Sequence, residues 1–121
     1  MYKAAVSIIV KGDKVLMGYA TSKDFRYKKW SFIGGGIERG ESPIEAAERE
    51  SREEANIVVT ARPGELYSVD GKESIVYVIC DYVKGMPVPN DEFFQIGWFD
   101  INDLPIDTLE LNAKIIANLL K

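Results

Sequence analysis

The chain has 121 residues, 19 acidic against 15 basic, with one cysteine and no histidine. Its net charge of −4 argues against a nucleic-acid groove, which normally carries a basic excess, and no run approaches the ~20 apolar residues that span a bilayer. Without histidine there is no imidazole base, no Ser-His or Cys-His nucleophile pair and no His-ligated zinc, so proton transfer falls to carboxylate, lysine, tyrosine or metal-bound water.

From the N-terminus, residues 2–10 and 14–20 are apolar-rich runs around Lys11-Gly12-Asp13, which predicts a hairpin with glycine in the turn. Met1-Tyr2-Lys3 and the short mixed residues after it lack the uninterrupted apolar core of a signal peptide, and one cysteine cannot form an internal disulfide, so a cytoplasmic protein is expected. Lys23-Asp24-Phe25-Arg26-Tyr27-Lys28-Lys29-Trp30 interleaves basic and aromatic residues. Arg26 and Lys28 are candidates for gripping substrate, beside the plainer reading of an exposed loop with snorkelling lysines. Residues 30–33 predict a short strand running into a glycine loop at Gly34-Gly35.

Ser42, Pro43 and Glu45 then predict a helix start, with serine as N-cap, proline in the first helical position and glutamate closing a capping box. Asn56 marks its end, because asparagine is second only to glycine in adopting the left-handed conformation of a helix C-terminus. Along this helix Glu45 precedes Arg49, and Glu48 precedes Arg52, by four residues in the order that supports an exposed helix. Glu50, Glu53 and Glu54 are left over on one face, where like charges repel by roughly 0.2–0.5 kcal/mol per pair. A bound cation reverses that penalty, and carboxylate oxygens are the ligands that magnesium prefers. Spacing alone leaves a metal site and a solvated acidic face equally open.

Strands are predicted at 57–61, 65–69, 74–83 and 93–99, with a turn at Asp70-Gly71 and a loop over 85–90. Cys80, inside the apolar run 74–80, reads as a buried structural thiol. A final helix is expected to start near Asp107, with Leu111, Ile115, Ile116, Leu119 and Leu120 as its core stripe. No repeat or linker interrupts the chain, which reads as a single domain over 1–121 able to bury roughly two thirds of its unfolded surface.

The spacing Gly35-(x5)-Glu41-(x7)-Arg49-Glu50-x-x-Glu53-Glu54-x-x-Ile57, led in by Trp30-Ser31-Phe32-Ile33-Gly34-Gly35, resembles the signature of the Nudix hydrolases, with the box at 35–57. Three positions depart from the family pattern: Ser51 stands where an aliphatic residue is usual, Asn56 replaces a glycine, and Ile33 replaces a proline. The resemblance implies an α/β Nudix fold, a mixed β-sheet sandwiched between α-helices. It implies metal binding by Glu50, Glu53 and Glu54, joined by Glu92, with Asp91 as fallback, from the segment before Trp98-Phe99. Arg49 would orient the catalytic glutamate, Glu50 or Glu53 would act as base, Glu41 would brace the loop, and Gly34 or Gly35 would offer the metal a backbone carbonyl.

The implied enzyme is a magnesium-dependent hydrolase, with manganese as a substitute, acting on a nucleoside diphosphate linked to another group. A nucleoside triphosphate cleaved to monophosphate and pyrophosphate leads. The alternatives are a nucleotide sugar or dinucleoside polyphosphate substrate, a nucleotide-binding domain without turnover, or an isopentenyl diphosphate isomerase relative using Cys80. A small-molecule nucleotide is the expected partner, with no nucleic-acid duplex and no membrane, and a homodimer is left open.

Overall fold

Alternation along the first strand decides the layering of the molecule, a computed structural model that describes residues 2–20, 26–68, 74–90 and 93–121. In β1 (Ala4–Lys11), Ala5 and Ile9 enter one buried cluster, whereas Ile8 and Val10 enter another on the opposite face. The first cluster lies under α1 (Pro43–Ala55) and the second under α2 (Glu110–Leu119), so the sheet is sandwiched between the two helices, as expected.

Strand β2 (Lys14–Ala20) returns from β1 through a turn in which Gly12 has φ +61°. It pairs with β7 (Phe93–Asp100) along its whole length, but with β1 only at Val10–Val15 and Lys11–Lys14, after which it diverges from β1 and pairs with β3 (Trp30–Ser31). The edge of β1 that β2 leaves is taken over by β4 (Ile33–Gly36), antiparallel from Ala4 to Ser7. On the other side of β1 runs β6 (Ile75–Gly85), parallel to it, and beyond that β5 (Ile57–Tyr67), antiparallel to β6. The seven-stranded sheet is therefore mixed.

Three elements differ from expectation. Gly34 and Gly35 belong to strand β4 and not to a loop. A Cβ on Gly34 would lie 2.5 Å from the Ala5 carbonyl oxygen, so only glycine lets the two strands approach this closely. The two strands predicted at 57–61 and 65–69 are one strand whose register slips between Ala61 and Leu66, where Pro63 lacks an N–H and Gly64 has φ +78°. The last helix begins at Glu110 and not near Asp107, because the preceding backbone is committed elsewhere. Trp30 N–H donates to the Asp107 carbonyl, and Leu109 N–H donates to that of Trp30.

That later start also changes the helix face. Leu111 is 39 % exposed, and the buried positions are Asn112, Ile115 and Ile116, with Leu119 and Leu120 half-buried beside them. The predicted Asp70-Gly71 turn lies outside the described residues. Among the described residues no helix is long and apolar enough to cross a membrane.

Candidate active site

Local signals place α1 as predicted. The Ser42 hydroxyl accepts from Glu45 N–H and the Glu45 carboxylate from Ser42 N–H, closing the capping box, and Asn56 ends the helix at φ 60°, ψ 35°. Such a cap is worth roughly 1 kcal/mol. The two expected Glu-to-Arg pairs are not what occupies these acids: Glu45 is in the cap, and Glu48 accepts from the Ala61 N–H of β5 at 3.1 Å.

Arg49 is the hub of the site. Its Nε and Nη2 donate to the two oxygens of Glu41 at 2.8 and 3.0 Å, Nη1 donates to Glu50 at 2.8 Å and Glu53 at 3.0 Å, and Nη2 also reaches the Gly36 carbonyl at 2.9 Å. A guanidinium has five N–H donors, so each is committed. One cation thus ties two box glutamates to Glu41 and to the glycine strand. The glycine carbonyl engaged here is that of Gly36, and its partner is Arg49.

Glu41 braces the turn after β4 as well, accepting from Glu38 N–H at 3.0 Å. The Arg49 hydrogen bond, helped by that backbone N–H, holds its carboxyl below the ordinary 4.5 against the opposing effect of desolvation. A folded-state value below the unfolded one contributes stability that is complete above about pH 4.5 and lost as pH falls through the folded value. Melting curves of native protein and Glu41→Gln should therefore differ most at neutral pH and converge in acid. A difference that stays constant down to pH 3 would refute this assignment.

The three box glutamates sit in different surroundings. Glu50 is 8 % exposed, and its carboxylate lies directly over Gly35, where an added Cβ would come within 2.5 Å of it. The Glu53 side chain is 60 % exposed and follows Arg49 from solvent. Glu54 turns one carboxylate oxygen inward, and its backbone carbonyl accepts from the Asn90 side-chain amide. Asn90 also accepts from Phe93 N–H at 3.0 Å, so it joins the end of α1 to the start of β7. Beside these residues opens a cavity of about 350 Å³, with Glu53, Glu54 and Arg52 on one wall and Val88, Pro89 and Asn90 on the other.

Among the described residues no three acids are already arranged around one metal position; Glu50 and Glu53 converge on Arg49 instead. Asp91 and Glu92 lie outside the described residues. Arg26 stacks over Phe93 at 5.8 Å, near the start of β7, whereas Lys28 lies over its neighbour Tyr27 at 5.5 Å with φ +59°. Cys80 is fully buried, and that burial, reinforced by the charges of Glu48 and Asp81, pushes its thiol up to about 12, which suits a structural side chain and not a nucleophile.

Two buried polar residues near the site escape sequence reasoning. Asn112 accepts from Phe32 N–H at 2.9 Å and so holds the strand that leads to the glycines. Ser7 donates to the Ala47 carbonyl at 3.0 Å. The one signal pointing to it was Ser51, the polar residue at an aliphatic position, whose hydroxyl lies 3.3 Å from that of Ser7.

The fold is shared with known proteins. A family profile described as the NUDIX domain matches residues 1–119. An oxidized purine nucleoside triphosphate hydrolase of Danio rerio is 29 % identical over 108 residues, 84 % of this chain and 68 % of its own length. A solved UDP-X diphosphatase is 19 % identical with a TM-score of 0.72, covering 99 % of this chain, which spans only 63 % of that structure. An Ap4A hydrolase from C. elegans is 21 % identical with a TM-score of 0.76, covering 98 % of this chain and 96 % of that one.

Proposed function

Since the chain belongs to the Nudix family and is a hydrolase of phosphorus-containing anhydrides that acts on nucleoside diphosphate-linked substrates, we propose that it is magnesium-dependent and cleaves a nucleoside triphosphate to monophosphate and pyrophosphate. The observation that carries the metal-dependent part is the seat of Glu50: its carboxylate fills the space over Gly35 that any Cβ would occupy, and Arg49 fixes it there. An oxygen-only donor set of Glu50, Glu53 and Glu54 fits magnesium or manganese, and Glu92 is proposed as a further ligand.

When bound, such a cation neutralises phosphate charge and lowers the pKa of coordinated water. The chain's own contributions are positional. Arg49 takes Oε1 of Glu50 and Oε2 of Glu53, which leaves the second oxygen of each to a cation or a proton. Glu50 or Glu53 accepts the proton of the attacking water. Glu41 and the Gly36 carbonyl keep Arg49 in place, and Arg26, stacked on Phe93, is proposed to meet the nucleotide with Lys28. The nucleoside triphosphate preference rests on the triphosphate hydrolase among the relatives; a nucleotide sugar or dinucleoside polyphosphate stands second. A binding domain without turnover is disfavoured because every box glutamate is present.

Product analysis over nucleoside triphosphates, nucleotide sugars and dinucleotides with magnesium or manganese tests the proposal, with Glu54→Gln alongside. Monophosphate plus pyrophosphate, lost in Glu54→Gln, is the expected result. Monophosphate plus a sugar phosphate would move the substrate to the runner-up class, and nucleotide binding without turnover on any of them would leave a binding domain.

A further inference from the structure

The face that α1 presents to the sheet is unusually smooth. Its buried residues are Ala46, Ala47, Glu50, Ser51 and Ala55, and apart from Glu50 none has a long side chain to interlock with the strands. Packing of large side chains into facing gaps is what normally stops a helix from sliding along its axis. Ile44, in the first turn, is the one large apolar side chain of α1 packed against the buried cluster beneath it, so along the rest of the face directional polar contacts take a large part in setting the helix height.

Those contacts are present and buried. Ser7 and Ser51 are both 0 % exposed. Ser7 Oγ donates to the Ala47 carbonyl at 3.0 Å, Ser51 Oγ reaches the same carbonyl at 2.7 Å, and the two hydroxyls are 3.3 Å apart. Two hydroxyl protons serve three contacts, so at any instant one of the three is without its proton. The contacts differ in what they join. That of Ser51 stays within one turn of the helix, whereas that of Ser7 crosses from β1 to α1.

Strand β1 also carries the floor of the site. Ser7 is paired with Ile33, and two residues along Ala5 is paired with Gly35. Gly35 in turn lies under the carboxylate of Glu50, three residues after Ala47. The connection Ala47–Ser7–β1–β4–Gly35–Glu50 therefore closes a ring through hydrogen bonds and contacts, with the Ser7 hydroxyl as its helix-to-sheet link.

We propose that Ser7 is a positioning residue for the hydrolysis, setting the height of α1 on the sheet so that Glu50 stands over Gly35, and that Ser51 is the polar companion which makes a buried hydroxyl acceptable there. The link to hydrolysis rests on the function proposed above; the link to Glu50 placement does not.

Ser7→Ala and Ser51→Ala separate this role from simple packing. Ser7→Ala cuts the hydrogen bond from β1 to α1 while keeping those of Glu48 to the Ala61 N–H and of Arg49 to the Gly36 carbonyl, and it leaves the Ala47 carbonyl to its own helical N–H and to Ser51, and the Cys80 thiol, which Ser7 also touches, to the Val78 carbonyl. Ser51→Ala keeps the bond between helix and sheet. Proton NMR of the native protein should show a close contact between the Gly35 Hα and Glu50 Hγ protons, measurable without metal or substrate. Ser7→Ala is expected to lose that contact and to lower kcat about tenfold with KM little changed, since displacements of an ångström or less are felt in catalysis. Ser51→Ala is expected to keep the contact and to stay within about threefold of native kcat.

A Ser7→Ala protein that retains the Gly35–Glu50 contact, or a Ser51→Ala protein that loses it equally, would overturn the proposal. Should the native protein turn over no nucleotide at all, the hydrolase reading fails by itself, and the proton contact in the two variants still decides the positioning role.

Discussion

Replacing Arg49 by lysine is expected to lower kcat on the order of 100-fold while leaving the protein folded. The substitution keeps the positive charge among Glu38, Glu41, Glu50 and Glu53, so it isolates geometry from charge. Lysine is a compact cation with three rotatable donors and cannot grip both oxygens of Glu41 while reaching Glu50, Glu53 and the Gly36 carbonyl. The contact with Glu41 would survive best, because Glu41 is itself fixed by Glu38 N–H. Glu50 and Glu53 would then lose their common donor, and with it the relative placement of the two oxygens proposed to meet one cation. The helix has its own caps at Ser42 and Asn56, so the melting temperature should change little. Steady-state kinetics with a melting curve checks both halves, and a kcat within about threefold of native would show that Arg49 is a surface pair and nothing more.

The second large effect is expected at Gly35, and its neighbours supply the controls. In Gly35→Ala the new methyl would lie 2.5 Å from the Glu50 carboxyl carbon. The obstacle is the far end of a side chain with three rotatable bonds, so Glu50 swings away and the strand stays. The result should be a folded protein with kcat reduced on the order of 100-fold, because the displaced group is the one proposed to hold the cation.

Gly34→Ala meets the Ala5 carbonyl oxygen at 2.5 Å and Val6 Cα at 2.8 Å, which are backbone atoms that cannot step aside. Overpacking of that kind costs about 1–3 kcal/mol, so its signature is a lowered melting temperature. Gly36→Ala finds its nearest neighbour, the Lys3 carbonyl, at 4.0 Å and should behave as native in both assays. Three adjacent glycines thus predict three separate outcomes, and a fully active Gly35→Ala would remove Glu50 from the centre of the site.

Helix α1 is legible from the sequence nearly to the residue. Ser42, Pro43, Glu45 and Asn56 each act on backbone groups within one turn of themselves, so the signal and its structural effect lie side by side in the chain. The periodicity that puts Glu50, Glu53 and Glu54 near one another is local in the same sense. The alternation in β1 likewise sorts its side chains onto two faces without reference to any other strand.

Where sequence reasoning misjudges an element, the deciding partner is distant. Gly34 to Gly36 form a strand because β2 leaves the edge of β1 after two paired positions, which nothing in the glycines announces. Asp107 lies before the last helix and not in its first turn because its carbonyl and the Leu109 N–H are taken by Trp30. Glu48 turns away from Arg52's expected pairing because an unpaired N–H at the register slip of β5 is within its reach. Asn112 is drawn inward by the N–H of Phe32, 80 residues away.

By itself, then, the sequence of this protein determined helix α1, its caps, the set of acids on it and the family to which the box belongs, since all of these depend on spacings of a few residues. Tertiary structure alone decided that Arg49 spends its five donors on Glu41, Glu50, Glu53 and Gly36, that Glu50 is seated on Gly35, and that Ser51 is answered by Ser7 across 44 residues. The physical reason is the range of the forces involved: caps and helical spacing act through the covalent chain, whereas these contacts act through space and exist only once β1, β4 and α1 are held in register.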